Sequence, residues 1–433
     1  MKISYCSLGC KVNEYESVAI INEFIEHGFE LVDFDSKADV YVINTCTVTS
    51  TSDAKSRKMI RQAAKRNPEA VVAVMGCYSQ LNPETVRTLG ADIVLGTKDR
   101  HRLFELVDDA LKYKNKYYLI SDISKEKAYE EIKINRYLNH TRGFIKIEDG
   151  CNNFCSYCAI PYARGRVRSR KAEDVLSEIK ALTEQGMKEL VLSGINTGAY
   201  GKDLEDYEFP DLLEDIITHT ENLGRIRISS LEVTEITPFF LEVLAKYKEY
   251  FCHHFHIPLQ NGSAEVLKMM NRKYDPEFYL QKIEALCEIF PDANITTDYM
   301  VGFPGETNAM FAEGVAFIKK IGFGEMHIFP YSRRPNTKAY LLPNQVDEIS
   351  KRFRINELLN LSRENALKYR KSFIGKELEV LVEKNTEGLA YGHTSNYMEV
   401  EFKSTTAKNN DLVWIRLEKA DYPLSLGKEV AHV

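Results

Sequence analysis

Cys151, Cys155 and Cys158 stand in a C-x3-C-x2-C triplet, in the stretch Gly150-Cys151-Asn152-Asn153-Phe154-Cys155-Ser156-Tyr157-Cys158. Three thiolates can ligate three irons of a 4Fe-4S cube and leave the fourth iron open to bind and reduce another molecule. A zinc site or three buried thiols would explain the spacing less well, because zinc favours paired Cys-x2-Cys or matching His and no fourth ligand lies nearby in sequence. Three more cysteines, Cys10, Cys46 and Cys77, are far apart, and each falls just after a run that reads as a strand. In open α/β sheets the carboxyl ends of the strands line the crevice where ligands bind, so these thiols would converge on one edge. That placement, not their spacing, argues for a second cluster; small thiols that simply pack well are the alternative. Cys6, Cys252 and Cys287 lie within apolar runs and read as packing residues.

Periodicity indicates which elements must position these groups. Residues 2–8, 30–34, 40–45, 70–75 and 92–96 read as strands, several nearly all apolar, as in a parallel sheet covered on both faces. Helices are expected at 14–27, 51–66 and 100–112, with Asn13/Glu16 and Ser50/Asp53 as capping pairs for the first two. Residues 1–112 thus predict a doubly wound α/β domain, followed by a linker at 113–139. From 140 to 365 the chain repeats strand, loop, helix, with strands at 143–148, 189–192, 225–229, 252–257, 294–299 and 326–329. Six such units predict a partial (β/α)6 TIM-type barrel with its functional residues at the carboxyl ends of the strands. The triplet sits in the loop leaving the first of them. Residues 371–433 carry short strands at 376–382, 397–402 and 412–417 between polar turns, which predicts a small antiparallel β-barrel. The fold class is therefore α/β with a β-barrel appended.

A chain of 433 residues with 44% hydrophobic content can bury more than one core, and its formal charge of −6 gives no global sign of nucleic-acid binding. Nine cysteines, an odd number in so long a chain, fit metal binding in a reducing cytosol better than a disulfide scaffold. The first residues run into a strand without a signal-peptide pattern, and the apolar run at 70–77 is too short to span a bilayer. A soluble, cytoplasmic protein with no membrane partner is expected.

The triplet resembles that of the radical S-adenosylmethionine (SAM) enzymes. Ser7-Leu8-Gly9-Cys10-Lys11-Val12-Asn13-Glu14-Tyr15-Glu16-Ser17, Asn44-Thr45-Cys46-Thr47-Val48 and Met75-Gly76-Cys77 are similar to three segments of the methylthiotransferase family. The resemblance covers essentially the whole chain and implies two 4Fe-4S clusters with SAM: one on Cys151, Cys155 and Cys158, an auxiliary one on Cys10, Cys46 and Cys77. It also implies SAM contacts at Tyr157, at Ser193 and Gly194 after the second strand, at Glu232 after the third, and at Val301 and Gly302 after the fifth. Many radical SAM enzymes carry Gly-Gly-Glu where this chain has Ser193-Gly194-Ile195. Gly9-Cys10-Lys11-Val12-Asn13 and Arg227-Ile228-Ser229-Ser230-Leu231-Glu232 resemble the branch that methylthiolates N6-threonylcarbamoyladenosine at tRNA position 37. Isopentenyladenosine in tRNA and a ribosomal protein side chain are the alternative substrates. The C-terminal barrel resembles a TRAM domain. Partners implied are tRNA and an electron donor such as flavodoxin or ferredoxin.

Local charge supports an RNA partner only in places. From Lys371 onward there are eight Lys+Arg against ten Asp+Glu, so charge gives the C-terminal barrel no footprint. Three basic patches stand elsewhere: Lys55, Arg57, Lys58, Arg61, Lys65 and Arg66; Arg164, Arg166, Arg168, Arg170 and Lys171; and Arg333-Arg334. Together they would place phosphates around the active site. His253, His254 and His256 alternate along one strand and read as packing and polar contacts.

Overall fold

The computed structural model describes residues 1–134 and 141–431; the expected boundary at 139/140 and the last two residues of the C-terminal domain fall outside them. The N-terminal sheet is wholly parallel, in the order β2-β1-β3-β4-β5-β6. Its strands are β1 (Lys2–Ser7), β2 (Glu30–Leu31), β3 (Val40–Thr45), β4 (Val71–Gly76), β5 (Ile93–Leu95) and β6 (Tyr117–Leu119). Every residue of β3 and β4 is buried, because helices cover both faces. Helix α1 (Lys11–Glu26) and the helix Leu103–Tyr113 pack Ile20, Phe24, Leu106 and Val107 on one face. Helix α2 (Ser50–Arg66) packs Ile60 and Ala63 on the other. β6 lies in the expected linker and extends the sheet instead.

Neither expected capping pair forms. Helix α1 starts after Cys10, and Asn13 is buried with its amide donating to the carbonyls of Leu8 (2.6 Å) and Thr45 (3.1 Å). Thr49, one residue earlier than expected, caps α2 by accepting from Ser52 N. Asp53 instead takes Thr47 Oγ1 (2.7 Å) and Arg334 (2.7 Å). Tertiary partners outcompeted local ones at both helix starts.

The central barrel uses β7 (Arg142–Lys146), β10 (Glu189–Ser193), β11 (Arg225–Ile228), β12 (His254–His256), β13 (Asn294–Val301) and β14 (Glu325–Pro330), all paired in parallel. Bridges Ile226–Phe251 and Ser230–His256 join its two three-stranded halves into one open six-stranded wall. Between β7 and β10, the short strands β8 (Glu148–Asp149) and β9 (Arg168–Ser169) pair antiparallel around the cysteine triplet. Aliphatic residues such as Ile145, Leu192 and Ile228 pack with those of the surrounding helices into one core.

A helix at Glu348–Lys371 leads into a closed five-stranded barrel, in the order β15-β16-β17-β19-β18. These are β15 (Glu377–Thr386), β16 (Leu389–Thr394), β17 (Glu399–Lys403), β18 (Leu412–Lys419) and β19 (Leu424–Glu429). Two strands more than expected are present, and the closing pair β17–β19 is parallel, so the barrel is not purely antiparallel. Its β16–β17 turn caps the amino-terminal end of the central barrel. Tyr397, held at φ +65°, stacks on His254 at 4.7 Å and lies under the guanidiniums of Arg227 (4.7 Å) and Arg142 (5.3 Å). Arg227 also donates to the carbonyls of Ser395 (3.0 Å) and Thr394 (3.3 Å).

Candidate active site

Cys10, Cys46 and Cys77 follow β1, β3 and β4, three neighbouring strands, so one sheet edge gathers them. A Cβ on Gly9, at φ +100°, would sit 2.6 Å from Cys46 Sγ, so only glycine lets the Cys10 loop pass so close. Burial pushes the Cys77 thiol up to about 12 and raises Cys46 as well. Arg164 Nε donates to Cys77 Sγ at 3.3 Å. Cys10 is exposed.

The second triad turns on Gly150, at φ +91°, where a Cβ would overlap Arg166 O at 1.9 Å. Burial raises the Cys151 thiol to about 12 and pushes Cys158 up further still. Arg272 Nη1 donates to Cys155 Sγ at 3.3 Å, while its Nη2 meets both oxygens of Glu232 at 2.6 and 2.7 Å. The three cysteines line a cavity of about 400 Å³. Tyr157, Ile160, Ile195, Asn196, Glu232, Gln260, Asp298, Met300 and Phe329 also line it, as do Val48 and Thr49, two and three residues beyond Cys46.

Buried acceptors in that wall lack partners in the protein: Asn196 Oδ1 and Gln260 Oε1. Leaving such atoms unmatched is costly, so the wall suits a polar ligand carrying hydrogen-bond donors. Gln260 adopts φ +67°, a strained backbone of the kind that gathers at functional sites. Behind the wall, Glu148 Oε2 accepts from Asn196 N at 2.9 Å, and burial holds this carboxyl well above the usual carboxylate range. Glycine is needed at 194, where a Cβ would sit 2.7 Å from that oxygen. With three cysteines in the wall of one cavity and three more gathered at the sheet edge whose loop after Cys46 reaches its rim, the donor set fits two iron–sulfur clusters.

The other expected contact residues divide. Tyr157 and Glu232 face the cavity, although burial raises the Glu232 carboxyl and Arg272 occupies both its oxygens. Ser193 is buried, with its hydroxyl toward Val191 O (3.4 Å), and Gly194 supports the Ile195-Asn196 loop from behind. Val301 and Gly302 lie behind the wall, where Gly302 N donates to Glu306 Oε2 at 2.5 Å; the neighbouring Met300 is the residue that reaches the cavity. Gln260, Asp298, Met300, Phe329 and Arg272 were not singled out by the sequence as site residues. Asp298 and Met300, at i and i+2 of one strand, did offer a signal, as a polar residue on the inward face.

Below the cavity, Asp298 Oδ1 lies 3.4 Å from His256 Nε2 and 3.2 Å from His327 Nδ1, and His256 Nδ1 meets Thr296 Oγ1 at 3.0 Å. Among the described residues these three are the group compact enough to share a single ion. Burial would raise Asp298, but the two imidazoles hold its carboxyl well below the usual range, and Asp298 in turn raises His327.

Two of the three basic patches need correction. Arg164, Arg168 and Arg170 are buried. Arg164 bonds Glu16 (2.8 Å), Asp149 (2.9 Å) and Asn13 (2.6 Å), and Arg170 bonds Glu131 (2.9 Å) and Glu178 (2.5 Å). Arg334 is buried against Asp53 and Thr47. These guanidiniums join domains instead of meeting phosphate; only Arg166, Lys171 and Arg333 remain exposed. On α2, Lys55, Lys58, Arg61 and Lys65 are exposed, and the start of the helix touches Ser332 beside Arg333.

Two family models match this chain: the radical SAM superfamily over residues 145–318 and the uncharacterized protein family UPF0004 over residues 2–96. The threonylcarbamoyladenosine tRNA methylthiotransferase MtaB of Bacillus subtilis is 43% identical, over 99% of this chain and 96% of its own length. That of Aquifex aeolicus is 38% identical over 93% and 96%. The tRNA-2-methylthio-N(6)-dimethylallyladenosine synthase of Bacillus subtilis is 34% identical over 95% and 82%. Among solved structures, the radical SAM methyltransferase TsrM of Kitasatospora setae, with cobalamin and a 4Fe-4S cluster bound, aligns with a TM-score of 0.56. It shares 15% identity over 90% of this chain and 80% of its own, which is a likeness of fold.

Proposed function

This chain belongs to the radical SAM tRNA methylthiotransferase family, and from that premise we infer that it transfers a methylthio group to C2 of N6-threonylcarbamoyladenosine at position 37 of tRNA. Cys151, Cys155 and Cys158 hold the cluster that binds SAM; Cys10, Cys46 and Cys77 hold the auxiliary one. When bound, these groups supply reductive cleavage of SAM and the sulfur to be delivered. The observation that carries the reading is a single cavity with one triad in its wall and the loop after Cys46 on its rim.

The chain's own residues bind, orient and shield. Asn196 Oδ1 and Gln260 Oε1 accept from the donors of SAM, which matches their lack of any other partner. Arg272 fixes the Glu232 carboxylate and touches Cys155, so one guanidinium ties the cavity wall to the cluster loop. Tyr157, Ile195, Met300 and Phe329 exclude water from the space where an unactivated aromatic C–H must react. Lys55, Lys58, Arg61 and Lys65 on α2, with Arg333, take backbone phosphates at the rim. A flavodoxin- or ferredoxin-class protein supplies electrons in a reducing cytoplasm. Among the described residues no helix is long and apolar enough to cross a membrane.

An anaerobic assay with the reconstituted protein and tRNA bearing threonylcarbamoyladenosine tests this. A Cys10→Ala variant should still cleave SAM to 5'-deoxyadenosine while forming no methylthio product. Full thiolation by that variant would contradict the assignment.

A further inference from the structure

Strand register sets four polar side chains side by side in the wall of the central barrel. His256 of β12 is opposite Thr296 of β13, and Asp298, two residues further along β13, is opposite His327 of β14. Residues two apart on a strand share a face, so Thr296 and Asp298 meet both neighbouring strands from the same side. Asp298 Oδ1 lies 3.4 Å from His256 Nε2 and 3.2 Å from His327 Nδ1. Two imidazole nitrogens and one carboxylate oxygen are a donor set for zinc and for non-haem iron. Donor atoms held about 2.0–2.1 Å from a tetrahedral ion stand about 3.3 Å apart, and both contacts match that spacing. One ligand atom from each residue lies within 4.8 Å of the other two, and the exposed His327 ring is free to turn and close the remaining gap.

Three observations favour an ion over a cluster of plain ion pairs. A charge-assisted hydrogen bond between imidazolium and carboxylate runs about 2.7–2.9 Å, shorter than either Asp298 contact. Thr296 Oγ1 lies 3.0 Å from His256 Nδ1 and 3.0 Å from Nε2 of the buried His254. A hydroxyl that accepts from Nδ1–H leaves the lone pair of His256 on Nε2, the nitrogen that faces Asp298, and metal-bound imidazoles are oriented in this way. Of the two carboxylates that line the cavity, Glu232 is answered by Arg272, whereas Asp298 has only the two imidazoles among the described residues.

We propose that His256, Asp298 and His327 hold one divalent first-row transition-metal ion beside the cavity, separate from the six cluster cysteines. Three protein ligands leave a coordination position open, as at catalytic zinc. Asp298 borders the cavity that holds the cysteine triplet, so water or an oxygen of a bound molecule can complete the shell there. The site does not depend on which nucleoside is modified. His256, expected from the sequence to make packing and polar contacts, is then a ligand.

The test uses holoenzyme with both clusters loaded, so that the six cysteines are occupied, and adds Mn2+ alone or Zn2+ alone. Mn2+ favours oxygen and nitrogen over thiolate, so loss of its free-ion electron paramagnetic resonance signal reports a site of this kind; bound Zn2+ is measured by elemental analysis after dialysis. The expected result is one equivalent of either ion per chain, lost in both His327→Ala and Asp298→Ala. Thr296→Val keeps all three ligands and should weaken binding roughly ten- to hundredfold, the usual effect of removing the group that orients a ligating imidazole. Iron content and thermal unfolding show that each variant folds and retains both clusters; His327, exposed on its strand, is the ligand whose removal disturbs packing least. A wild type that binds neither ion would overturn the proposal. So would binding that survives His327→Ala and Asp298→Ala unchanged, which would mean an adventitious ion only.

Discussion

Arg272 and Arg164 occupy equivalent posts at the two cysteine triads. Each is buried, donates to one cysteine sulfur at 3.3 Å, and is fixed by carboxylates. Replacing Arg272 by Ala leaves the Glu232 carboxylate in the cavity wall without its partner, and the loss should be about 1–3 kcal/mol, as for a charged group stripped of its hydrogen bond. The expected outcome is a lower melting temperature and weaker SAM binding, measured by calorimetry on the reconstituted protein, with iron retained by Cys10, Cys46 and Cys77. At this scale the sequence was legible where chemistry depends on residue type: both cysteine triads stand out by spacing or by position after strands. It was opaque where the role depends on a distant partner. Nothing near Gln260 or Arg272 in sequence announces an orphan acceptor or a contact to Cys155, because both arise only when β12, β13 and the triplet loop come together.

Helix α2 carries the exposed basic face proposed above to take tRNA phosphates. Its exposed cations stand on one helix whose amino-terminal end touches Ser332 and whose preceding residues, Val48 and Thr49, form the cavity rim. A Lys55→Ala/Lys58→Ala/Arg61→Ala variant should bind tRNA more weakly. Its slope of log affinity against log salt should also be shallower by about 0.7–0.9 per lost phosphate contact. Fluorescence anisotropy over a salt series measures both; an unchanged slope would remove α2 from the RNA interface. The segment 164–171 looked equally basic, yet its arginines alternate into buried ion pairs with Glu16, Asp149, Glu131 and Glu178. A charge run alone does not separate a phosphate-binding face from a docking face, since the carboxylates that claim it lie elsewhere in the chain. Strand β6 and the two unforeseen strands of the C-terminal barrel, β16 and β19, escaped for a related reason: pairing with neighbours distant in sequence, more than apolar content, fixes them.

The whole molecule is held by buried polar contacts between its parts. Glu16 of the N-terminal domain meets Arg164 (2.8 Å), Lys146 (2.8 Å) and Arg100 (2.5 Å), and Asp149 bonds Lys146 at 2.6 Å. Burial alone would raise the Glu16 carboxyl, but Arg100, Arg164 and Lys146 hold it far below its ordinary 4.5. A carboxylate depressed in the folded state contributes stability that is fully present above its unfolded value and is lost as pH falls through the folded one. Domain docking should therefore be unaffected near neutral pH and weaken progressively below about 4.5, with Glu16→Gln flattening that dependence; thermal unfolding over a pH series checks this. Tyr397 acts at the opposite end of the barrel, and Tyr397→Ala should cost about 1–3 kcal/mol from the lost contacts with Arg142, Arg227 and His254. The central claim is that these parts converge on one reaction. Its most direct test is nucleoside mass spectrometry of tRNA from a host lacking the activity, with and without this gene. A new 2-methylthio derivative of N6-threonylcarbamoyladenosine is the expected result. A 2-methylthio derivative of the dimethylallyl nucleoside in its place, or no new nucleoside at all, would contradict the account.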